Sequence, residues 1–198
     1  MEEIAPGIWH WTARHPRIGV DVSSYFLAGL DVLLDPLEPP NDDRLDALGP
    51  PMEILLTNRH HLRDSLALAE RWGCTIRAPE PGMHEFSEGE PVEPYAFGDQ
   101  LADGQITAHE VGVICPDEAA LHIPSLKALA AADGVIRYTD EVHFVPDNLM
   151  DEPEQTKKGL KTAYAKLAEE LDFDNLLLAH GNPVIGGGRE ALRRFAAS

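Results

Sequence analysis

The sequence predicts a fold of mixed α and β structure, on three observations. Short apolar runs bounded by Gly, Pro and Asp fill the first two thirds, as strands and turns do. The run Ile54-Leu55-Leu56 stops at Thr57, passes through a polar loop and gives way to helical periodicity at Leu66, Leu68, Ala69 and Trp72. The strongest helical pattern comes late, at Leu160, Ala163, Tyr164, Leu167 and Leu171. Strands first, then strand and helix mixed, then helices is an order that one mixed domain explains.

The elements follow in order. Residues 4–12 read as a turn and a short strand, with Ile8, His10 and Thr12 on one face and Trp9 and Trp11 on the other. Residues 13–21 read as a loop, and residues 22–27 and 31–34 as a hairpin ending in Asp35-Pro36. Pro36, Pro39 and Pro40 stiffen the next loop, and residues 42–48 form a short helix closed by Gly49-Pro50. Gly73 suits the C′ position of the helix after the central loop. Residues 74–78 are a strand, and 79–94, dense in Pro, Gly and Glu, a lid or binding loop. Further short strands are expected at 95–97, 105–111 and 119–123. Asp151 and Pro153 mark the start of a helix over 152–171, a buried strand follows at 175–179, and a last helix runs from about Gly188 to Ala196.

At 198 residues the chain has room for one sizeable core, so a single domain over 1–198 is expected. No apolar run reaches membrane-spanning length, and Met1-Glu2-Glu3 is acidic where a signal peptide would be basic. Two cysteines, Cys74 and Cys115, make no disulfide framework, so a cytoplasmic protein is expected. A net charge of −18 repels a phosphate backbone, and the basic groups at Lys157, Lys158 and Lys161 and at Arg189, Arg193 and Arg194 read as solvated helix faces. A small-molecule ligand is therefore expected, with neither nucleic acid nor membrane as a partner.

The stretch richest in chemistry is Thr57-Asn58-Arg59-His60-His61-Leu62-Arg63-Asp64-Ser65, between a strand and a helix. Ligands collect at the carboxyl ends of strands in such units. With Asp133-Gly134 and His180-Gly181-Asn182-Pro183 further on, this stretch resembles the metallo-β-lactamase superfamily, glyoxalase II-like hydrolases included. That family has a strand ending in T-H-x-H-x-D-H, a later P-G-H loop, a strand ending in G-D and a late H-G. The resemblance covers about residues 22–183. It implies an α+β fold, a four-layer αβ/βα sandwich of two facing sheets with helices outside. It also decides one ambiguity: residues 126–132, rich in Ala and Leu, favour helix by intrinsic preference, whereas the family places a strand there, and the strand is preferred.

In the resembled family five histidines and two aspartates hold two metals, which turn a bound water into hydroxide near neutral pH. Carried over by position, the first His falls on Asn58 and the second on His60, or on His61 if the loop shifts by one. The motif Asp falls on Asp64, its last His on Ser65, the P-G-H histidine on Val113 or Ile114, the bridging Asp on Asp133 and the late His on His180. This departure implies a reduced site. A dinuclear zinc centre is not expected; one divalent metal (zinc, manganese or iron) is, drawn from His60, His61, Asp64, Asp133 and His180, with His61 replacing the imidazole lost at Ser65. Asp64 and Glu118 are the carboxylates expected in the chemical step, Glu118 as general base. The implied function is a metal-dependent hydrolase of a small ester, thioester or lactone.

Plainer readings stand beside these. Either histidine of the pair can simply hydrogen-bond in a polar crevice, Asp64 or Ser65 can cap a helix, and Asp133-Gly134 can be a turn. The alternative function is a protein of the same fold without metal, acting in ligand binding or assembly. Cys115 offers a third reading, as a nucleophile.

Overall fold

In the strands of this protein, alternate residues face two different apolar layers, and this alternation builds the architecture. The computed structural model describes residues 1–39 and 44–198. Among them the strands are β1 (Glu2–Ala5), β2 (Ile8–Arg14), β3 (Asp21–Leu27), β4 (Val32–Leu34), β5 (Glu53–Leu55), β6 (Thr75–Pro79), β7 (Val92–Tyr95), β8 (Gln100–Leu101), β9 (Ile106–Glu110), β10 (Ala119–Ile123), β11 (Ala128–Ala131) and β12 (Asn175–Leu178). The α-helices are α1 (Arg44–Ala47), α2 (Ser65–Trp72), α3 (Pro153–Glu170) and α4 (Gly188–Ala197). Strands β1 to β7 form one sheet in sequence order, and the other runs β12-β11-β10-β9-β8.

Between the sheets lie Tyr25 and Leu27 of β3, Leu55 of β5, Leu121 of β10 and Leu177 of β12. Their chain neighbours Phe26, Ile54 and Leu56 turn outward to meet Leu68 of α2. Ala120, Leu176 and Leu178 turn the other way, to Leu160 and Tyr164 of α3 and Leu192 and Phe195 of α4. The result is a four-layer α+β sandwich, helix on sheet on sheet on helix, as expected. Burying one leucine fully contributes roughly 1.5–3 kcal/mol, so this two-period pattern outweighs local propensity. That explains residues 128–131: Ala128 and Ala130 belong to the central layer while Leu129 and Ala131 belong to the outer one, and the segment is strand.

Some expectations need correction. Residues 4 and 5, read as part of a turn, belong to β1, which pairs antiparallel with β2. The expected loop 79–94 holds a 3-10 helix, Glu80–Glu85, and its end enters the first sheet as β7. Pro40 and residues 42–43 of the expected short helix lie outside the described residues, and α1 is its described remainder. Among the described residues no helix is long and apolar enough to cross a membrane.

Candidate metal centre

Parallel pairing of β4 with β5 brings their carboxyl ends level, so Asp35 and Thr57 meet just beyond them. Asp35 is buried, and its carboxylate accepts from the Thr57 main-chain nitrogen (2.8 Å) and hydroxyl (2.6 Å). The chain then turns through a 3-10 helix, Arg59–His61, begun by Asn58, whose Oδ1 accepts from the His60 nitrogen at 2.9 Å. Within the expected polar loop, this short turn sets the histidines apart. His60 points to solvent and His61 is buried.

His61 Nδ1 lies 2.9 Å from Asp35 Oδ2, and its Nε2 lies 3.1 Å from Asp133 Oδ1. Asp133 follows β11, and His180 follows β12, the parallel neighbour of β11. His180 Nε2 lies 3.0 Å from the same Asp133 oxygen, and Asn58 donates to the other Asp133 oxygen at 2.8 Å. The ligand atoms of His61, Asp133 and His180 fall within 4.8 Å of one another.

Two carboxylates face the two nitrogens of one imidazole. Burial by itself would lower the His61 pKa, but Asp35 and then Asp133 outweigh it and raise it to about 9. Burial would likewise raise Asp133, yet the His61 charge and the His180 hydrogen bond hold its carboxyl well below the usual range.

The loop carrying His180 hangs on β3. Ser23 donates its main-chain nitrogen to the Ala179 oxygen (2.9 Å) and its hydroxyl to the Gly181 oxygen (2.7 Å), while Tyr25 bonds both to the oxygen and to the nitrogen of Leu178. Gly181 has a φ of +82°, and a Cβ there would sit 2.2 Å from the Arg137 oxygen, so only glycine lets the two loops approach. Tyr138 Oη stands 3.4 Å from His180 Nδ1.

The other sequence-derived candidates lie apart from this cluster. Asp64 turns away, its Oδ2 accepting from the Glu38 nitrogen at 2.7 Å, and it is not in the ligand group found among the described residues. It also makes no side-chain cap to α2, although it occupies the cap position. Glu118 is wholly buried, and its carboxylate is taken up by the Gly134 nitrogen (2.6 Å), the Ile114 nitrogen (3.3 Å) and the Tyr164 hydroxyl (3.3 Å). With its oxygens so engaged, Glu118 braces the turn next to Asp133. Val113, at the place of the lost P-G-H histidine, packs toward Gly159 of α3. Cys115 is buried, and burial followed by the Asp117 and Glu118 charges pushes its thiol far up. A neutral buried thiol is no nucleophile.

Asp35 and Tyr138 are groups at this centre that were not among the candidate ligands, and Asn58, which stands at the first motif histidine, holds Asp133 instead. For Asp35 a signal was present: an aspartate directly after a buried strand, in a chain whose next strand also ends in polar residues. Tyr138 had none.

The donors present fit a divalent cation. Two imidazole nitrogens and a carboxylate oxygen are a set that catalytic zinc and ferrous sites use, and an imidazole whose far nitrogen is held by a carboxylate is orientated for ligation. Among the described residues this is the one such ligand group found, and an amide stands at Asn58 and apolar side chains at Val113 and Ile114.

No protein-family model and no curated protein matches the sequence. Solved structures do match the fold. DIM-1 metallo-β-lactamase is 15% identical with a TM-score of 0.73, over 99% of this chain and 95% of that one. A metallo-β-lactamase family protein from Thermus thermophilus is 18% identical, TM-score 0.66, over 98% and 80%. The rubredoxin oxygen:oxidoreductase of Desulfovibrio gigas is 13% identical, TM-score 0.68, over 99% of this chain and 60% of that one. This chain, with its two facing sheets and outer helices, has the metallo-β-lactamase fold.

Proposed function

We propose that this protein is a hydrolase with a reduced, single-metal centre, acting on a small ester, thioester or lactone, and that His61, Asp133 and His180 are the protein ligands. The observation that carries the reading is the convergence of His61 Nε2, Asp133 Oδ1 and His180 Nε2, with Asp35 fixing the far side of His61. A divalent ion held there would polarise a carbonyl oxygen and lower the pKa of a water. The chain's own groups do the rest. Asp35 and Thr57 orientate His61, Asn58 and Glu118 hold Asp133 and its turn, and Tyr138, beside His180, supplies a hydroxyl at the rim. The acidity of the chain fits a small-molecule substrate in preference to nucleic acid, and its two unpaired cysteines fit the cytoplasm.

A second reading has one observation in its favour. His61 as an imidazolium between Asp35 and Asp133 already balances charge at the centre, as it would in a metal-free binding protein of this fold. The two readings separate on elemental analysis of protein purified without chelator, followed by titration with zinc, manganese and ferrous iron. The hydrolase reading expects one ion per chain, lost in Asp133→Asn and His180→Ala and kept in His60→Ala and Asp64→Asn, together with turnover of ester, thioester or lactone substrates. No binding of any of the three ions leaves the metal-free reading in place.

A further inference from the structure

Between the 3-10 helix and α2 the backbone passes through Arg63 at a φ of +43°, a left-handed conformation that an arginine adopts only under constraint. The turn carries its side chain beneath the ends of β3 and β4, where Nη1 donates to the Ser23 oxygen at 2.7 Å and to the Asp35 oxygen. Both acceptors are main-chain carbonyls. The other terminal nitrogen, Nη2, is buried and has no hydrogen-bond partner among the described residues. Buried donors of folded proteins are nearly always satisfied, so an orphan on a full positive charge points to an acceptor that arrives from outside the chain. The surroundings are those of the metal centre: Asp35, whose main-chain oxygen takes Nη1, holds His61 through its carboxylate, and Ser23, whose oxygen takes it too, holds the Gly181 oxygen next to His180.

We propose that Arg63 receives an anionic oxygen group, a carboxylate or a phosphate, of the small molecule that binds beside His61, Asp133 and His180. The planar guanidinium fork suits such a group, which brings a charge and more than one acceptor oxygen where a water brings neither. That this anion belongs to a substrate rests on the hydrolase reading; that it binds does not. At a net charge of −18 the chain does not attract anions at long range, so the attraction is local to Arg63.

The test uses the full chain freed of metal by a chelator, so its outcome is independent of metal binding. Melting is followed in sodium acetate, sodium phosphate and sodium chloride at matched ionic strength, and the Arg63 side-chain nitrogen resonances are followed by NMR. At about ten times its dissociation constant, a bound anion raises the melting temperature by roughly 3 °C over chloride. The expected result is such a rise with acetate or phosphate, a shift of the Arg63 resonances, and loss of the rise in Arg63→Gln. A response to acetate alone assigns a carboxylate, and one to phosphate alone a phosphoryl group. Equal behaviour in all three salts, or an undiminished rise in Arg63→Gln, overturns the proposal. Should Arg63→Gln not fold, the wild-type resonances decide: unmoved by either anion, they refute it.

Discussion

Replacing Asp35 by asparagine tests the charge arrangement at the centre. In the metal-free protein, His61 is raised from 6.5 to about 9, so the folded state holds its proton more tightly than the unfolded state does. The stability this gives is fully present below about pH 6.5 and is lost as pH rises through 9. At about 1.4 kcal/mol per pH unit the loss amounts to ~3 kcal/mol. Glu118 acts in the same direction but earlier: burial, then the Asp133 charge, raise it from 4.5 to about 7, so its contribution is lost as pH rises through 7 and is spent about one unit higher. His10 acts oppositely, since burial lowers it from 6.5 to about 4 and stability rises with pH over that interval. Between about pH 8 and pH 9 the fall therefore belongs mainly to His61, and nearer pH 9.5 the Cys74 and Cys115 thiols, both raised by burial, add to it. Urea unfolding in the presence of chelator, from pH 7 to pH 9.5, should show it in the wild type. Asp35→Asn removes the first of the two carboxylates that raise His61, and most of the slope should go. Glu118→Gln should keep the slope above about pH 8 and alter only the region below. Wild-type stability that is flat between pH 7 and 9.5 would refute the assignment of a charged His61 clamped by two carboxylates.

Three further outcomes follow from packing. Leu121, fully buried in the middle of β10 between the sheets, should cost about 3 kcal/mol on replacement by alanine, read from denaturant midpoints at constant slope. Gly181→Ala forces a Cβ against the Arg137 oxygen at a positive φ, so it should lower stability by roughly 2 kcal/mol and weaken metal binding by displacing His180, as melting and metal titration together will show. Cys115 should resist iodoacetamide in the native protein while the half-buried Cys74 reacts, and peptide mapping in urea should then find both labelled.

The layers were legible from residue patterning. Two-residue alternation in strands such as 119–123 and helical spacing in 153–170 are local patterns, and each reports which faces must be covered. A strand ending at Thr57, Asp133 after an apolar segment and His180 before glycine were legible for the same reason: each is a polar group just past a buried run. Which of His60 and His61 turns inward was not legible, because a 3-10 turn rotates successive side chains by about 120° and its presence depends on the Asn58 cap. The roles of Asp64 and Glu118 come from contacts distant in sequence. Asp64 is drawn to the Glu38 nitrogen 26 positions earlier in the chain, and Glu118 to the turn at Gly134 and to Tyr164 of α3. Asp35 and Arg63 likewise acquire their meaning only when strands pair in parallel and bring distant loops to one edge. A linear pattern records what one segment needs to bury; it carries no record of which remote segment will meet its polar ends.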